Sequence, residues 1–203
     1  MAKGVDVDAV DEEGDTALYY AIKVLREECA CYLLAEAGAS WSRDVVEGTW
    51  PLSMLAFAAG RDCYRIVKGI VQRMRKDGVG AGEISEAMGA AAAYAIKSGK
   101  MLPLKALIEE GLDVTSARTD FHDDVWGSTT VGLLHHAASE GRQEVVEFLI
   151  EQGCDPFARS DRVWALLPHH AAAVYGRTSL LKWLMERHPV PIDVASLTGA
   201  TCL

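Results

Sequence analysis

Several residue types and patterns are missing from this chain of 203 residues, and each absence narrows the range of functions. The sequence contains no asparagine, so it has no N-glycosylation sequon. Its five cysteines include no Cys-x-x-Cys pair, and the odd count argues against a disulfide framework or a structural zinc site. No uninterrupted apolar stretch is long enough to span a bilayer, and the opening "MAKGVDVDAVDEEGD" is too acidic for a signal peptide. These features predict an intracellular protein, with the cytoplasm as the first expectation and the nucleus or an organelle as alternatives.

Positive charge is also scarce. The chain has 20 Lys and Arg against 29 Asp and Glu, a formal net charge of −9. A general nucleic-acid binder needs an excess of Lys and Arg to neutralise phosphates, and an anionic membrane surface attracts basic rather than acidic proteins. We therefore expect neither nucleic-acid binding nor direct membrane insertion.

What the sequence does contain is an internal repeat. The stretch "GLLHHAASEG" (132–141) aligns without a gap with "LPHHAAAVYG" (167–176), and so do the residues that follow each stretch. The same frame recurs in "TALYYAIKVL" (16–25), "SMLAFAAGRD" (53–62) and "AAAAYAIKSG" (90–99). Repeats one to five thus start near residues 16, 53, 90, 132 and 167, and "TCL" matches the start of a sixth at 201.

A repeat of about 33 residues that opens with Thr-Pro-Leu-His-x-Ala is typical of the ankyrin repeat family, which this chain resembles over essentially its whole length. The best matches are Leu134-His135-His136-Ala137-Ala138 in repeat four and Pro168-His169-His170-Ala171-Ala172 in repeat five. Repeats one to three lack the opening histidine, and only repeat five has proline at the second position. The resemblance implies an all-α fold, a solenoid of stacked antiparallel helix pairs with projecting loops.

The residue pattern itself favours two helices per repeat. The first, inner helix is rich in Ala, and the second, outer helix carries bulky apolar pairs four residues apart, such as Val145–Val146 and Leu149–Ile150. Gly111 and Gly153 follow outer helices at positions where a left-handed turn ends a helix. We expect one ankyrin-repeat domain over residues 1–203, with a concave face lined by inner helices and loops. Because both ends of the sequence fall inside a repeat, we also expect a longer parent protein or an assembly that covers them.

The adjacent histidines have a structural explanation. His135 and His170 hold the family's histidine position, where the resemblance implies that the imidazole ties the loop of one repeat to the next. A zinc site needs three or four converging ligands, and neighbouring residues on a helix diverge by about 100°. The remaining alternative is that histidines from two stacked repeats meet around one ion.

No catalytic arrangement is visible in the sequence either. Ser139–Glu140 and Cys154 lack assignable activating groups. The glycine-rich "GVGAG" (78–82) lacks the Lys-Ser/Thr ending of a phosphate loop, so we expect a flexible connection. We expect no enzymatic activity, no metal and no cofactor.

Partner-binding residues are expected among the aromatic and acidic residues of loops and inner helices. Trp is strongly enriched at interface hot spots, and four of the five Trp lie between helix pairs. The loop of residues 116–132 places acidic beside aromatic residues, which favours a basic partner segment. The alternatives are that each Trp ring packs under its own loop and that this loop is simply solvated. The predicted contact residues are Tyr20, Trp41, Trp50, Tyr94, Phe121, Asp123, Asp124, Trp126 and Trp164.

A basic cluster at Arg73, Arg75 and Lys76 has two interpretations. Cations at the end of an outer helix complement the helix dipole. Together with Arg61 and Arg65, they would instead form a local positive patch.

The sequence therefore predicts a protein–protein interaction module that binds another protein through its concave face and inter-repeat loops. One alternative is a permanent structural or scaffold subunit of a large complex. Another is a regulatory domain of a longer enzyme. The identity of the partner does not follow from the fold, because ankyrin arrays bind unrelated targets.

Overall fold

The structure is a computed structural model that describes residues 6–42, 44–47, 50–123, 127–160 and 166–191. These residues form ten α-helices and two antiparallel β-hairpins. The chain divides into two compact blocks. The first block, Met1–Gly111, holds repeats one to three, and the second block, Leu112–Leu203, holds repeats four and five.

The first block contains three helix pairs. Its inner helices are α1 (Ala17–Lys23), α3 (Met54–Gly60) and α5 (Ala81–Lys97), and its outer helices are α2 (Glu27–Ala35), α4 (Tyr64–Lys76) and α6 (Met101–Glu109). Helix α3 packs against α1 and α5, while α4 packs against α2 and α6. Ala58–Ala59 and Ala91–Ala92 are fully buried, since their small side chains let α3 and α5 approach closely.

The second block contains two helix pairs. Its inner helices are α7 (Leu133–Glu140) and α9 (Pro168–Val174), and its outer helices are α8 (Gln143–Glu151) and α10 (Thr178–Arg187). Most of the apolar pairs of the outer helices face the core, since Val145, Val146, Leu149, Leu180 and Leu184 are buried, whereas Ile150, Leu181 and Met185 are half-buried.

A left-handed residue at one fixed position ends the inner helix of every repeat. The φ angles are positive at Leu25 (59°), Asp62 (68°), Gly99 (67°), Gly141 (70°) and Gly176 (65°). Glycine reaches this conformation freely, whereas Leu and Asp adopt it at a steric cost. The prediction for the ends of the outer helices is also confirmed, because Gly111 and Gly153 have φ angles of 94° and 97°.

The loops between repeats share a second recurring turn. The carboxylates of Asp6, Asp113 and Asp155 each accept a hydrogen bond from the backbone N–H two residues later, at 3.0, 2.9 and 2.8 Å. Ser40 accepts the equivalent bond through its hydroxyl at 3.4 Å. Short polar side chains stabilise such turns by imitating a backbone acceptor. The same type of turn therefore occurs at the start of several loops.

Two of the projecting loops are more regular than the sequence analysis anticipates. Strand β1 (Asp44–Glu47) pairs with β2 (Trp50–Ser53), and β3 (Arg118–Asp123) pairs with β4 (Gly127–Gly132). The overlooked signal is a short β-branched run in one strand of each hairpin, Val45–Val46 in β1 and "TTV" in β4. Pro51 fits in β2 because a two-stranded ladder consists of edge strands alone.

Helix α5 also begins earlier than the sequence analysis predicts. It starts at Ala81 and runs for 17 residues, so the prediction of a flexible connection is wrong for Ala81 and Gly82. Ile84 and Met88 on the added turns are buried. Burial of two large apolar side chains outweighs the cost of about 1 kcal/mol for a glycine in a helix.

Candidate partner-binding site

Tyr20 lies on the inner helix α1 next to the acidic segment that precedes it. Its hydroxyl donates a hydrogen bond to Asp11 Oδ2 at 2.7 Å, and 37% of the residue is exposed. This bond, together with burial and nearby carboxylates, raises the pKa of Tyr20 to about 12. The phenol therefore stays protonated at neutral pH, with its hydroxyl held by Asp11 and part of its ring open to contact.

A row of rings and cations extends from Tyr20 across the inner helices of the first block. Tyr19 meets Tyr20 edge-on and stacks on Phe57 of α3, with ring centroids 5.6 and 5.1 Å apart. Lys23 Nζ lies 5.0 Å from the Tyr19 centroid, and the Arg61 guanidinium lies 5.1 Å from that of Phe57. The stack joins α1 to α3 and holds two cations in fixed places by cation–π attraction.

Tyr94 occupies in repeat three the position that Tyr20 holds in repeat one. It is half-buried on α5. Because α3 packs against both α1 and α5, the two tyrosines lie on either side of that helix.

The indole of Trp41 makes a hydrogen bond within the first block. The Nε1–H group donates to Asp77 Oδ2 at 2.9 Å, and Arg73 Nε bonds the same carboxylate. The Trp41 bond is the largest of the contacts that lower the pKa of Asp77. Part of this tryptophan therefore serves to join the loop after α2 to the end of α4, while the residue remains half-exposed.

The other predicted contact residues belong to the hairpins or lie outside the described residues. Trp50 pairs with Glu47 at the turn end of the first hairpin, and Asp123 pairs with Gly127 at the turn end of the second. Phe121 is opposite Thr129, further along the second ladder. Asp124, Trp126 and Trp164 lie outside the described residues. The nine predicted residues are thus divided between the blocks: Tyr20, Trp41, Trp50 and Tyr94 in the first, and the rest in the second.

The histidines at the family position act as structural ties. His135 Nε2 donates to the backbone carbonyl of Leu166 at 2.8 Å, a contact between repeats four and five. His170 Nδ1 accepts from the backbone N–H of Leu167 at 3.0 Å. Its neighbour His169 is fully buried and donates through Nε2 to the carbonyl of His188 at 2.8 Å. Burial lowers the pKa of His169, which favours the neutral ring.

The side chains of Ser139 and Cys154, which looked reactive in the sequence, are engaged in contacts within the fold. Ser139 is buried and donates its hydroxyl proton to the carbonyl of His136 at 2.8 Å. Burial raises the pKa of the Cys154 thiol to about 11, and its Sγ contacts the carbonyl of Val114. A thiol with such a pKa is almost fully protonated at neutral pH and a poor nucleophile. Within the described residues, no three His, Cys, Asp or Glu side chains are grouped so that they could hold a metal ion.

Two of the three cations in the basic cluster at the end of α4 make internal contacts. Arg73 bonds Asp77 and the carbonyl of Leu34, and Arg75 bonds Glu110, the residue after α6. Arg61 and Arg65 lie at the opposite end of α4 from this cluster. The predicted patch of all five cations is therefore wrong, and Arg61 and Arg65 belong to a different surface.

That surface was missed by the sequence analysis. It is formed by the turn between the two helices in each repeat of the first block, residues 23–28, 60–65 and 97–102, and is called the turn edge below. The second and third segments meet at the 3.7 Å contact between Lys100 Nζ and Asp62 Oδ2, and the first segment joins two helices, α1 and α2, that pack against α3 and α4. The sequence signal was the recurrence of two cations at this place in each of three repeats.

Comparisons with known proteins agree with this fold. Residues 1–34 match the family model "Ankyrin repeats (many copies)", and residues 133–161 match the model "Ankyrin repeat". The chain is similar to the human ASB11 ankyrin repeat domain, with 18% identity, a TM-score of 0.62, and 93% of this chain covering 75% of that one. It is also similar to the ankyrin repeat domain of Bcl-3, a member of the IkappaB protein family, with 19% identity, a TM-score of 0.64, and 93% of this chain covering 78% of that one.

Among the described residues, no helix combines the length and the apolar composition that a membrane-crossing helix requires.

Proposed function

Because this chain is an ankyrin-repeat protein, we propose that it binds another protein through the concave face of its inner helices and through its inter-repeat hairpins. Ankyrin repeats are generally protein–protein interaction modules, and their fold is typically a non-catalytic scaffold. The observation that carries the proposal is the ankyrin fold, which extends over 93% of the chain. Binding of this kind uses no cofactor, and the expected place of action is inside the cell.

The contact residues proposed are the nine aromatic and acidic residues named above. Support comes from the half-open ring of Tyr20 on an inner helix and from the places of Trp50 and Asp123 at the turn ends of the hairpins. Buried aromatic anchors provide much of the energy at protein interfaces. The acidic side chains of Asp123 and Asp124 complement a basic segment of the partner.

The test is a pair of matched substitutions in the full chain. Partners are first captured from native extract by crosslinking and identified by mass spectrometry. Trp126→Ala is expected to weaken binding of the main captured partner at least tenfold, about 1.4 kcal/mol. Tyr32→Ala, on the outer helix α2, is the control, since it removes an exposed aromatic ring from outside the proposed site.

Circular dichroism of both variants separates binding from folding. Weakened binding with unchanged helical content supports the proposal. If Trp126→Ala reduces the helical signal of the chain, the ring belongs to the core. Equal loss of binding in both variants would place the interface on the outer helices.

A permanent structural subunit is the second candidate. The exposed side chains of Tyr32 on α2, Tyr64 on α4 and Leu102 on α6 favour it, because they offer apolar contacts on three outer helices. Copurification of a fixed set of neighbours that resists high salt distinguishes this role from reversible recognition.

A further inference from the structure

The turn edge of the first block differs in charge from the chain as a whole. Its three segments contain six cations, Lys23, Arg26, Arg61, Arg65, Lys97 and Lys100, against three acids, Glu27, Glu28 and Asp62. The whole chain carries a net charge of −9. The equivalent turns of repeats four and five, residues 139–144 and 174–179, contain two arginines and two glutamates. The ankyrin pattern itself therefore does not require the positive charge.

The same edge exposes large apolar side chains. Val24, Leu25, Tyr64 and Leu102 are 55%, 57%, 40% and 54% exposed. They alternate with the cations along three successive repeats, so apolar and positive groups form one mixed surface. Exposed apolar groups beside an excess of charge of one sign are a common feature of interaction surfaces.

Leu25 adds a conformational observation. It is held at a φ of 59°, in the position where repeats three to five have glycine. A leucine pays steric energy in this conformation and, being exposed, recovers little of it through packing inside the chain. Leu25 therefore lowers the stability of the isolated chain, and contact with another molecule would bury its apolar side chain.

Two cations of the edge are already fixed in position. Lys23 lies over the rings of Tyr19 and Tyr20, and Arg61 lies over Phe57. An aromatic ring restrains the cation that lies over it by cation–π attraction. Binding an anionic group at these places therefore costs less side-chain entropy than binding it to free lysines.

From these observations we propose that the turn edge is a second docking surface, which binds an acidic segment of another protein that carries large apolar side chains. Carboxylates of the segment pair with cations of the edge, Lys23 and Arg65 among them, and its apolar side chains cover Leu25 and Leu102. The proposal rests on the proposed function in that both require protein binding, but it concerns a different surface and a partner segment of opposite charge.

The test is a titration of the full chain with a fluorescein-labelled peptide of Glu, Asp, Leu and Phe, followed by fluorescence anisotropy. A peptide with Lys in place of every acid is the charge control. The acidic peptide is expected to bind, to weaken with rising salt, and to lose about tenfold in affinity in the double variant Lys23→Glu, Arg65→Glu. The matched control is Lys76→Glu, Lys182→Glu, which changes the net charge equally at exposed positions outside the edge.

Leu25→Gly provides an independent check, because relief of the left-handed strain is expected to make it at least as stable as the parent chain. Weaker peptide binding by this more stable variant supports the proposal. Absence of binding by the acidic peptide, equal losses in the edge and control variants, or unchanged affinity of Leu25→Gly overturns it. Binding of phosphatidylserine vesicles in place of the peptide also overturns it and assigns the edge to a membrane surface. Trp126→Ala is expected to leave this titration unchanged, so failure of the hairpin site and failure of the edge are separate results.

Discussion

The two blocks tie their inner helices together by different chemistry. In the first block, Thr16 and Ser53 cap α1 and α3 through their hydroxyls, and Tyr19 stacks on Phe57 across the two helices. All six histidines of the chain lie in the second block, where His135 and His169 donate to buried or partly buried backbone carbonyls. One repeat architecture thus accepts either local caps with aromatic packing or long-range imidazole bonds.

We expect the stability of the second block to depend more on single polar residues than the stability of the first block does. A local cap satisfies one N–H group at the end of its own helix. The imidazole of His135 bonds a carbonyl 31 residues away, so its removal breaks a buried hydrogen bond between distant segments of the chain.

Replacing His135 is expected to have the largest effect. His135→Leu removes the imidazole donor to the carbonyl of Leu166, which keeps the N–H of Ser160 as a donor. We expect a loss of about 1–2 kcal/mol in the free energy of unfolding, measured by urea denaturation. Thr16→Ala in the first block should cost about 1 kcal/mol, the usual value of a helix cap. Equal losses of unfolding free energy in the two variants would contradict the proposed difference between the blocks.

An exchange at the left-handed turn sharpens the same comparison. Gly141→Ala places a Cβ 2.8 Å from Arg177 Cδ at a φ of 70°, and would disturb the bond from Arg177 Nε to the carbonyl of Ser139. We expect this change to destabilise the chain by about 1–2 kcal/mol. Leu25→Gly, at the equivalent position of repeat one, should stabilise it by about 0.5–1 kcal/mol. Thermal unfolding of both variants checks the opposite signs.

The buried histidine gives the second block a pH dependence. Burial lowers the folded-state pKa of His169 below its ordinary value of 6.5, and its buried Nδ1 has no hydrogen-bond partner among the described residues. The unfolded chain therefore takes up a proton first, so the contribution of His169 to stability is complete above pH 6.5 and is lost as the pH falls towards the folded pKa.

The corresponding variant is His169→Leu. It should be less stable than the parent at pH 7.5 by about 1 kcal/mol, through loss of the bond to the carbonyl of His188. The difference should shrink as the pH falls from 6.5 towards 5. Since the imidazoles of His170 and His188 lie close enough to influence His169, the quantity to compare is the difference between variant and parent at each pH. A constant difference would show that His169 does not contribute to the pH dependence.

The smallest effect is expected at an exposed turn of the second block. Asp113 accepts bonds from the hydroxyls of Thr115 and Ser116 and from a backbone N–H, which lower its pKa to about 2 from 3.8. Its stabilising contribution is present above pH 3.8 and disappears as the pH falls towards 2. Asp113→Ala should lower the melting temperature slightly at pH 6 and leave it unchanged near pH 2. Asp155→Ala, in the equivalent turn after repeat four, is the matched comparison.

Much of the fold could be predicted from local information. Apolar spacing identified the outer helices, Ala-rich stretches identified the inner ones, and Gly111 and Gly153 marked where outer helices end. The hairpins were missed because their β-branched runs are short and fall within segments that the repeat pattern assigns to loops. The start of α5 was missed because glycine is a poor helix former and the burial of Ile84 and Met88 is not visible in sequence.

The candidate site was less predictable than the fold. Trp41 was chosen as a contact residue, yet its indole N–H is used by Asp77, 36 residues further along the chain. Arg61 and Arg65 were grouped with Arg73 and Arg75, although the length of α4 separates the two pairs. Distances between side chains on different repeats depend on how the repeats pack, which spacing along one helix does not contain.

The sequence by itself determined the repeat frame, the apolar faces of the outer helices and the left-handed turns at Gly111 and Gly153. Those features follow from helical periodicity and backbone sterics, which act within a few residues. Only the tertiary structure decided which charges meet, where Arg75 and Trp41 find their partners, and that turns from three repeats form one basic and apolar edge. The reason is that electrostatic and packing energies depend on distances in space, and stacking brings together residues that lie more than thirty positions apart.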